Sequence, residues 1–231
     1  MIEKVKLRNI MTYAFASRED LLKFIEDKRQ ILVAVNAEKI LKDNVKLHNI
    51  INNNIGYSDG VGAVLALKQK GLQAVKIPGA EFWLDIIDRF EKEKSFYLIG
   101  SSTEVIEKTV KKLKQEFPSV NIIAYRNGFL QDEDKEKLIE DLKLKKPDVV
   151  FVAQGSPRQE YLMEELLNEY PALYMGLGGS FDVYSGEKKR APSFFINNGL
   201  EWLYRLLQEP TRIGRQLILG KFIFLLVMKK I

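Results

Sequence analysis

The 231-residue chain has no cysteine and one histidine, His48. Without thiols there is no disulfide framework, no thiolate nucleophile and no cysteine-based metal site. With carboxylates as the only other ligands in quantity, no metal cluster is expected. No nucleophile–base–acid triad can be built either, because His48 sits mid-pattern in DNVKLHNIINNN and reads as a surface or packing residue. Long apolar runs are also missing. The longest, LILGKFIFLLVM from Leu217 to Met228, is twelve residues with one charge. A helix that crosses a ~30 Å hydrocarbon core needs ~20 apolar residues. The opening MIEKVKLRNI lacks an apolar stretch of signal-peptide length, so export is not expected.

What the chain does have is the profile of a folded globular protein, with 46% apolar and 29% charged residues. The charge is unevenly placed. Glu201 to Ile231 holds six Lys/Arg against two Glu, a net of +4 in a protein whose total is +5. Before residue 200 acids and bases interleave and no nucleic-acid motif appears, so nucleic acid is not an expected partner. A short, basic, apolar tail suits a segment lying on an anionic membrane surface. It could equally seal a subunit interface in a homo-oligomer.

Along the chain, short β-rich runs alternate with longer amphipathic ones. Residues 31–35 (ILVAV), 96–99 (FYLI), 120–124 (VNIIA), 149–153 (VVFVA) and 173–175 (LYM) read as buried strands. Residues 18–28, 103–117, 132–145 and 158–170 read as helices. Ser17 is a cap for the first, and Ser101 or Ser102 for the second. This rhythm predicts an α/β, Rossmann-like parallel-sheet core. The simplest arrangement is a catalytic domain over 1–190, two-lobed with a cleft between its halves, and a basic C-terminal helical appendage over 191–231. Pro192 opens the appendage and Pro210 ends or kinks its first helix. Ligands in such folds bind beyond the C-terminal ends of the strands, so informative residues should follow strands directly.

Asn36 follows the first core strand and can cap a helix or bond a polar ligand. In GYSDGVG, Asp59 stands where a strand ends, either as an N-cap or as a carboxylate at the cleft mouth. Gly60 beside it permits close approach by a ligand. Lys76 is a candidate phosphate contact or a surface lysine. Gly100 and Ser101 form a strand-to-helix turn, suited to an anion or purely structural. In VAQGSPRQE, Ser156 suits an N-cap and Pro157 the first helical position. Arg158 then opposes the helix dipole unless it meets a carboxylate or ligand, and Gln159 is a donor and acceptor aimed into the same cleft. In MGLGGSFDVYSGEKKRAP, Gly176, Gly178 and Gly179 allow the backbone to wrap an anion, and Ser180 adds a hydroxyl. A single carboxylate can support displacement of a nucleoside diphosphate from an activated carbon: one base deprotonates a hydroxyl while positive groups hold the departing charge.

These motifs, together with the LEWLYRLLQEPTR segment, give the chain a resemblance to the TagA/WecG/CpsF family of bacterial glycosyltransferases. The resemblance implies an inverting, metal-independent transferase with no cofactor beyond its nucleotide-sugar substrate, a UDP-sugar. The acceptor it implies is a membrane-bound undecaprenyl-diphosphate-linked sugar, typically N-acetylglucosamine. A peripheral site on the cytoplasmic face of the cell membrane follows, in cell-wall polysaccharide or teichoic acid synthesis. By resemblance Asp59 falls on the general base, Gln159 on the Gln of a PKQE-like motif, Gly176 to Ser180 on a diphosphate loop, and Arg205, Arg212 and Arg215 on arginines of the appendage. Ala34 stands where the teichoic-acid branch has Thr, and Lys76 where it has Arg. Glucose, galactose or another hexose is therefore as good a donor sugar as N-acetylmannosamine. Two rival readings fit less of the chain. A soluble nucleotide-sugar epimerase or dehydrogenase would need a full glycine fingerprint and a Tyr-x-x-x-Lys pair or catalytic Cys, neither of which is visible. A non-catalytic membrane-surface protein would explain the tail but not the polar residues gathered after strands.

Overall fold

The computed structural model describes residues 2–189, 192, 194–195, 201–208 and 213–231. The chain opens with a hairpin of β1 (Lys4–Leu7) and β2 (Ile10–Tyr13), then α1 (Arg18–Ile25) and β3 (Ile31–Val35). Next come α2 (Ala37–Leu41), α3 (Val45–Asn53), β4 (Ile55–Ser58), α4 (Val61–Gln69) and α5 (Gly79–Phe90). The second half runs β5 (Ser95–Gly100), α6 (Thr103–Glu116), β6 (Asn121–Arg126), α7 (Asp132–Lys145) and β7 (Val149–Ala153). It ends with α8 (Arg158–Glu169), β8 (Leu173–Gly176), α9 (Ser180–Tyr184), α10 (Glu201–Gln208) and α11 (Ile213–Val227).

Six strands form one parallel sheet in the order β4-β3-β8-β7-β5-β6. The fold is α/β and Rossmann-like, as the strand–helix rhythm predicts. The two halves of the chain share this one sheet, because β8 pairs with β3. Apart from the edge strand β6, the strands read as largely apolar runs because both faces are covered. Ile31, Val33, Val35, Val150, Val152 and Tyr174 pack on one face with α2, α3, α4, α7 and α8. Leu32, Phe96, Leu98, Phe151, Leu173 and Met175 alternate onto the other with α1, α5, α6 and α9. Trp83 pins α5 there, edge-on to Phe151, Phe181 and Tyr184.

The hairpin was not legible as strands. It lies against the edge strand β4, with Met11 N–H on Asn52 Oδ1 at 2.6 Å. At the other end of the chain, α11 packs on α2 and α4. Its Phe222 is fully buried, and a Cβ built on Gly62 would sit only 3.0 Å from the ring. The helix is thus apolar on two sides: Phe222, Leu219, Leu225 and Leu226 face the core, while Leu217, Ile223, Phe224, Val227 and Met228 are exposed. Among the described residues no helix is long and apolar enough to cross a membrane.

Caps follow local chemistry. Ser17 Oγ accepts from Asp20 N–H, and Ser102, rather than Ser101, caps α6 by accepting from Val105 N–H. His48 is buried, a packing residue of α3.

Candidate active site

The connection after β3 enters α2 on one face of the sheet, and that after the adjacent β8 enters α9 on the other. Such a divergence leaves a crevice at the carboxyl ends of the two strands. Asn36, Asp59 and the 176–180 loop all belong to this end of the sheet.

Asp59 is not an N-cap. Gly60 occupies that position of α4 and makes no side-chain bond. The Asp59 backbone donates to Val35 O at 3.0 Å, tying the ends of β4 and β3. Its Oδ1 accepts from the N–H of Gly79 at 2.8 Å. Gly79 opens α5 behind Pro78, whose side chain has no acceptor to offer, so a carboxylate from twenty residues earlier caps that helix from outside. The half-buried Asp59 is thereby held at the head of a twelve-residue helix. Beneath it, Tyr57 is fully buried with its hydroxyl unpartnered, and a Cβ on Gly79 would lie 2.8 Å from that oxygen. Burial, then the charges of Asp59 and Glu160, push this phenol well above its usual range. It stays a neutral OH.

Asn36 does cap α2, its Oδ1 accepting from Lys39 N–H at 3.0 Å. A Cβ on Gly60 would lie 3.4 Å from that of Asn36, so the cap and the Asp59 turn are in contact. Lys76 is half-buried on the stretch that runs beside the end of β4, where Ile77 N–H bonds Ser58 O at 2.8 Å.

Four expectations need correction. Ser156 is not the cap of α8: Pro157 holds that position after a cis peptide bond, and no side-chain cap bond forms. Gln159 is not aimed into open cleft. It is 5% exposed, and its Oε1 accepts from Gly155 N–H at 3.2 Å and Gly178 N–H at 2.8 Å. The 176–180 loop is less of an anion nest than its glycines suggest. Gly178, at φ +59°, has its N–H on Gln159, and the Ser180 hydroxyl is turned inward onto Leu177 O at 2.6 Å. Gly176 is where the backbone approaches Gln159, since a Cβ there would meet Nε2 at 2.4 Å. Gly179 retains the loop's outer position. Finally, the Gly100–Ser101 turn is closed. A Cβ on Gly100 would be 2.5 Å from Ala153 O, Ser101 N–H donates to that same oxygen, and Ser101 Oγ donates to Asp182.

Arg158 is exposed at the start of α8 with no ion-pair partner among the described residues. Arg212 lies outside the described residues, as do the side chains of Arg205 and Arg215. One pairing is not legible in the sequence, although Glu160 stands in the first turn of the helix that VAQGSPRQE opens. Lys39 of α2 and Glu160 of α8 form a buried ion pair at 2.7 Å, close under the same strand ends. Nothing local in NAEKI or SPRQE announces a partner 121 residues away.

A separate cleft of about 540 Å³ at the β6 edge is lined by Tyr97, Tyr125, Arg126, Asn127, Lys137 and Asp141 among others, and by none of the residues above. The Asp-x-Asp spelled by residues 132–134 opens α7 on that side, with Asp134 engaged by Gln131 N–H and Arg126. Among the described residues no group of three His, Cys, Asp or Glu could hold a metal ion. The arrangement thus offers one anchored carboxylate, the starts of α4, α8 and α9 without side-chain caps, and a glycine loop. That is the equipment of group transfer from an anionic leaving group, and it sits within a whole-chain match. The family model for the glycosyl transferase WecG/TagA/CpsF family covers residues 5–231, and the protein belongs to that family.

Proposed function

We propose that this glycosyltransferase moves a hexose or N-acetylhexosamine from a UDP-sugar to a membrane-bound, undecaprenyl-diphosphate-linked sugar, with inversion at the anomeric carbon and without a metal. The product belongs to a cell-surface polysaccharide or teichoic acid. The observation that carries this reading is Asp59, fixed by the Gly79 amide at the strand ends beside the uncapped start of α4. As carboxylate it takes the proton of the acceptor hydroxyl. The oxygen then attacks the anomeric carbon from the face opposite the diphosphate. The carbon–oxygen bond to the diphosphate breaks, and UDP leaves with the electron pair.

Departing charge needs donors. The first-turn amides of α4, the Arg158 amide that opens α8, the Gly179 end of the loop, Lys76 and the Arg158 side chain are the proposed groups, with Arg205, Arg212 and Arg215 added from the tail. Each contact to the leaving group is worth roughly 2–4 kcal/mol, by analogy with one oxyanion donor. Asn36 would bond a substrate through the amide nitrogen that its capping role leaves over.

The lipid-linked acceptor gives the exposed side of α11 its place in the scheme. Leu217, Phe224, Val227 and Met228 recur at helical spacing beside Lys221, Lys229 and Lys230, a pattern suited to an anionic bilayer. Because Phe222 seats α11 against Gly62, in the first turn of α4, that side would hold the acceptor's membrane close to Asp59. The test is mass-spectrometric detection of product from a panel of nucleotide sugars and a prenyl-diphosphate N-acetylglucosamine acceptor, with and without anionic vesicles. Transfer from a UDP-sugar, enhanced by vesicles, is expected. Turnover of the nucleotide sugar to an isomer or oxidised product would refute it.

A further inference from the structure

A buried ion pair is weak evidence for stability, since well-packed apolar residues of the same volume often serve as well or better. The Lys39–Glu160 pair is especially hard to explain that way. Glu160 is 1% exposed and its Oε2 is buried with no hydrogen-bond partner. Leaving a polar atom so placed is costly. What the pair does explain is geometry.

Lys39 is bonded at both ends. Its backbone N–H holds the Asn36 cap. Its ammonium donates to Ala34 O, near the end of β3, at 2.9 Å and to Glu160 Oε1 at 2.7 Å. Gln159 Nε2 donates to the same Glu160 oxygen at 3.3 Å. Gln159 Oε1 then takes the amides of Gly155 after β7 and Gly178 after β8. In the sheet, β8 lies between β3 and β7. One continuous chain of hydrogen bonds therefore spans three adjacent strand ends, from the Asn36–Gly60 contact to the glycine loop.

We propose that Lys39 and Glu160 are positioning residues for glycosyl transfer: a strut that sets the distance between the Asp59 side of the cleft and the Gly176–Gly179 loop without touching substrate. This rests on the transferase reading above. A base and a leaving-group loop on separate elements must hold their relative placement, and a shift of about 1 Å can lower turnover by roughly 100-fold.

The test compares Lys39→Met, Glu160→Gln and the double variant Lys39→Met/Glu160→Met, which removes both charges and keeps the volume. Each is followed by thermal melting, by kcat and KM for the donor, and by hydrogen exchange of segments 154–158 and 177–180. The expected result is a double variant that stays folded, melting lower only by the cost of leaving Gln159 Nε2 without its acceptor, about 1–3 kcal/mol, yet turns over roughly 100-fold slower with KM within about threefold. Its Gly155 and Gly178 segments should exchange faster. A double variant with wild-type kcat would overturn the proposal, whether or not the single variants fold. If the wild-type protein transfers no sugar at all, the transferase reading fails by itself. Exchange then decides the strut separately, with unchanged protection at 177–180 in the double variant as the refuting result.

Discussion

Replacing Phe222 by Ala should release α11 from the catalytic core. The ring is fully buried, and its edge lies so close to Gly62 that a single added Cβ would sit 3.0 and 3.3 Å from two of its carbons. A cavity left by Phe→Ala costs about 3–5 kcal/mol in a core. Here the seat lies between one helix and two others, which can partly close over the gap, so the low end, about 3 kcal/mol, is the working value. Two outcomes share that magnitude. If α11 stays coupled to global unfolding, about 3 kcal/mol lowers the melting temperature by roughly 6–12 °C in a chain of this size. If α11 undocks alone, its amides open more often. At 1.4 kcal/mol per decade, exchange across 217–227 then quickens by roughly 100-fold. Thermal melting together with hydrogen exchange reads both. A variant that melts within 1 °C of wild type and exchanges within about threefold across that segment would refute the packing assigned to Phe222.

Other perturbations probe the ground beneath the site. Tyr57→Phe deletes a buried hydroxyl that has no partner and should stabilise the protein by about 1 kcal/mol, seen in a denaturant titration. Gly79→Ala should cost about 1–3 kcal/mol, because its new methyl lies 2.8 Å from that hydroxyl. In the Tyr57→Phe background the penalty should shrink, and strict additivity would show that the clash is not with the oxygen. At the β6 edge, burial opposes ionisation of Asp141, yet bonds from Lys145 and Tyr97 hold its carboxyl below the usual range. A depressed carboxylate contributes stability that is present above its unfolded value of about 3.9 and is lost as pH falls through the folded one. Asp141→Asn should therefore flatten the decline of stability below about pH 4, by under about 1 kcal/mol, and an unchanged pH profile would contradict the assignment.

The limits of the sequence are physical and can be located. Strands such as Ile31–Val35 and Val149–Ala153 were legible because a parallel sheet covered on both faces needs unbroken apolar runs. The hairpin was not: four-residue strands carrying Lys4 and Lys6 have too little period to stand out. Asp59 could be placed at a strand end, but only the fold shows that Gly60 caps α4 and that Gly79 takes the carboxylate. Gln159 and Ser180 are polar residues in glycine-rich turns, where sequence suggests ligand contact and the fold supplies internal partners instead. The Lys39–Glu160 pair is invisible in principle to local pattern, since it joins residues 121 apart. In the tail, apolar residues lie around most of the circumference of α11, so which side holds Phe222 inward had to come from the structure.

The central claim is that Asp59 is the base, and Asp59→Asn tests it most directly. The amide oxygen of Asn can still accept from Gly79 N–H, so the variant should fold, at a cost of about 0.3–1 kcal/mol for the charge lost at the start of α5. Assayed with the UDP-sugar that the wild-type protein uses and the prenyl-diphosphate acceptor, its kcat should fall by about 10²–10⁴-fold, the loss of general-base catalysis. A folded Asp59→Asn variant within about threefold of wild-type turnover would contradict the account.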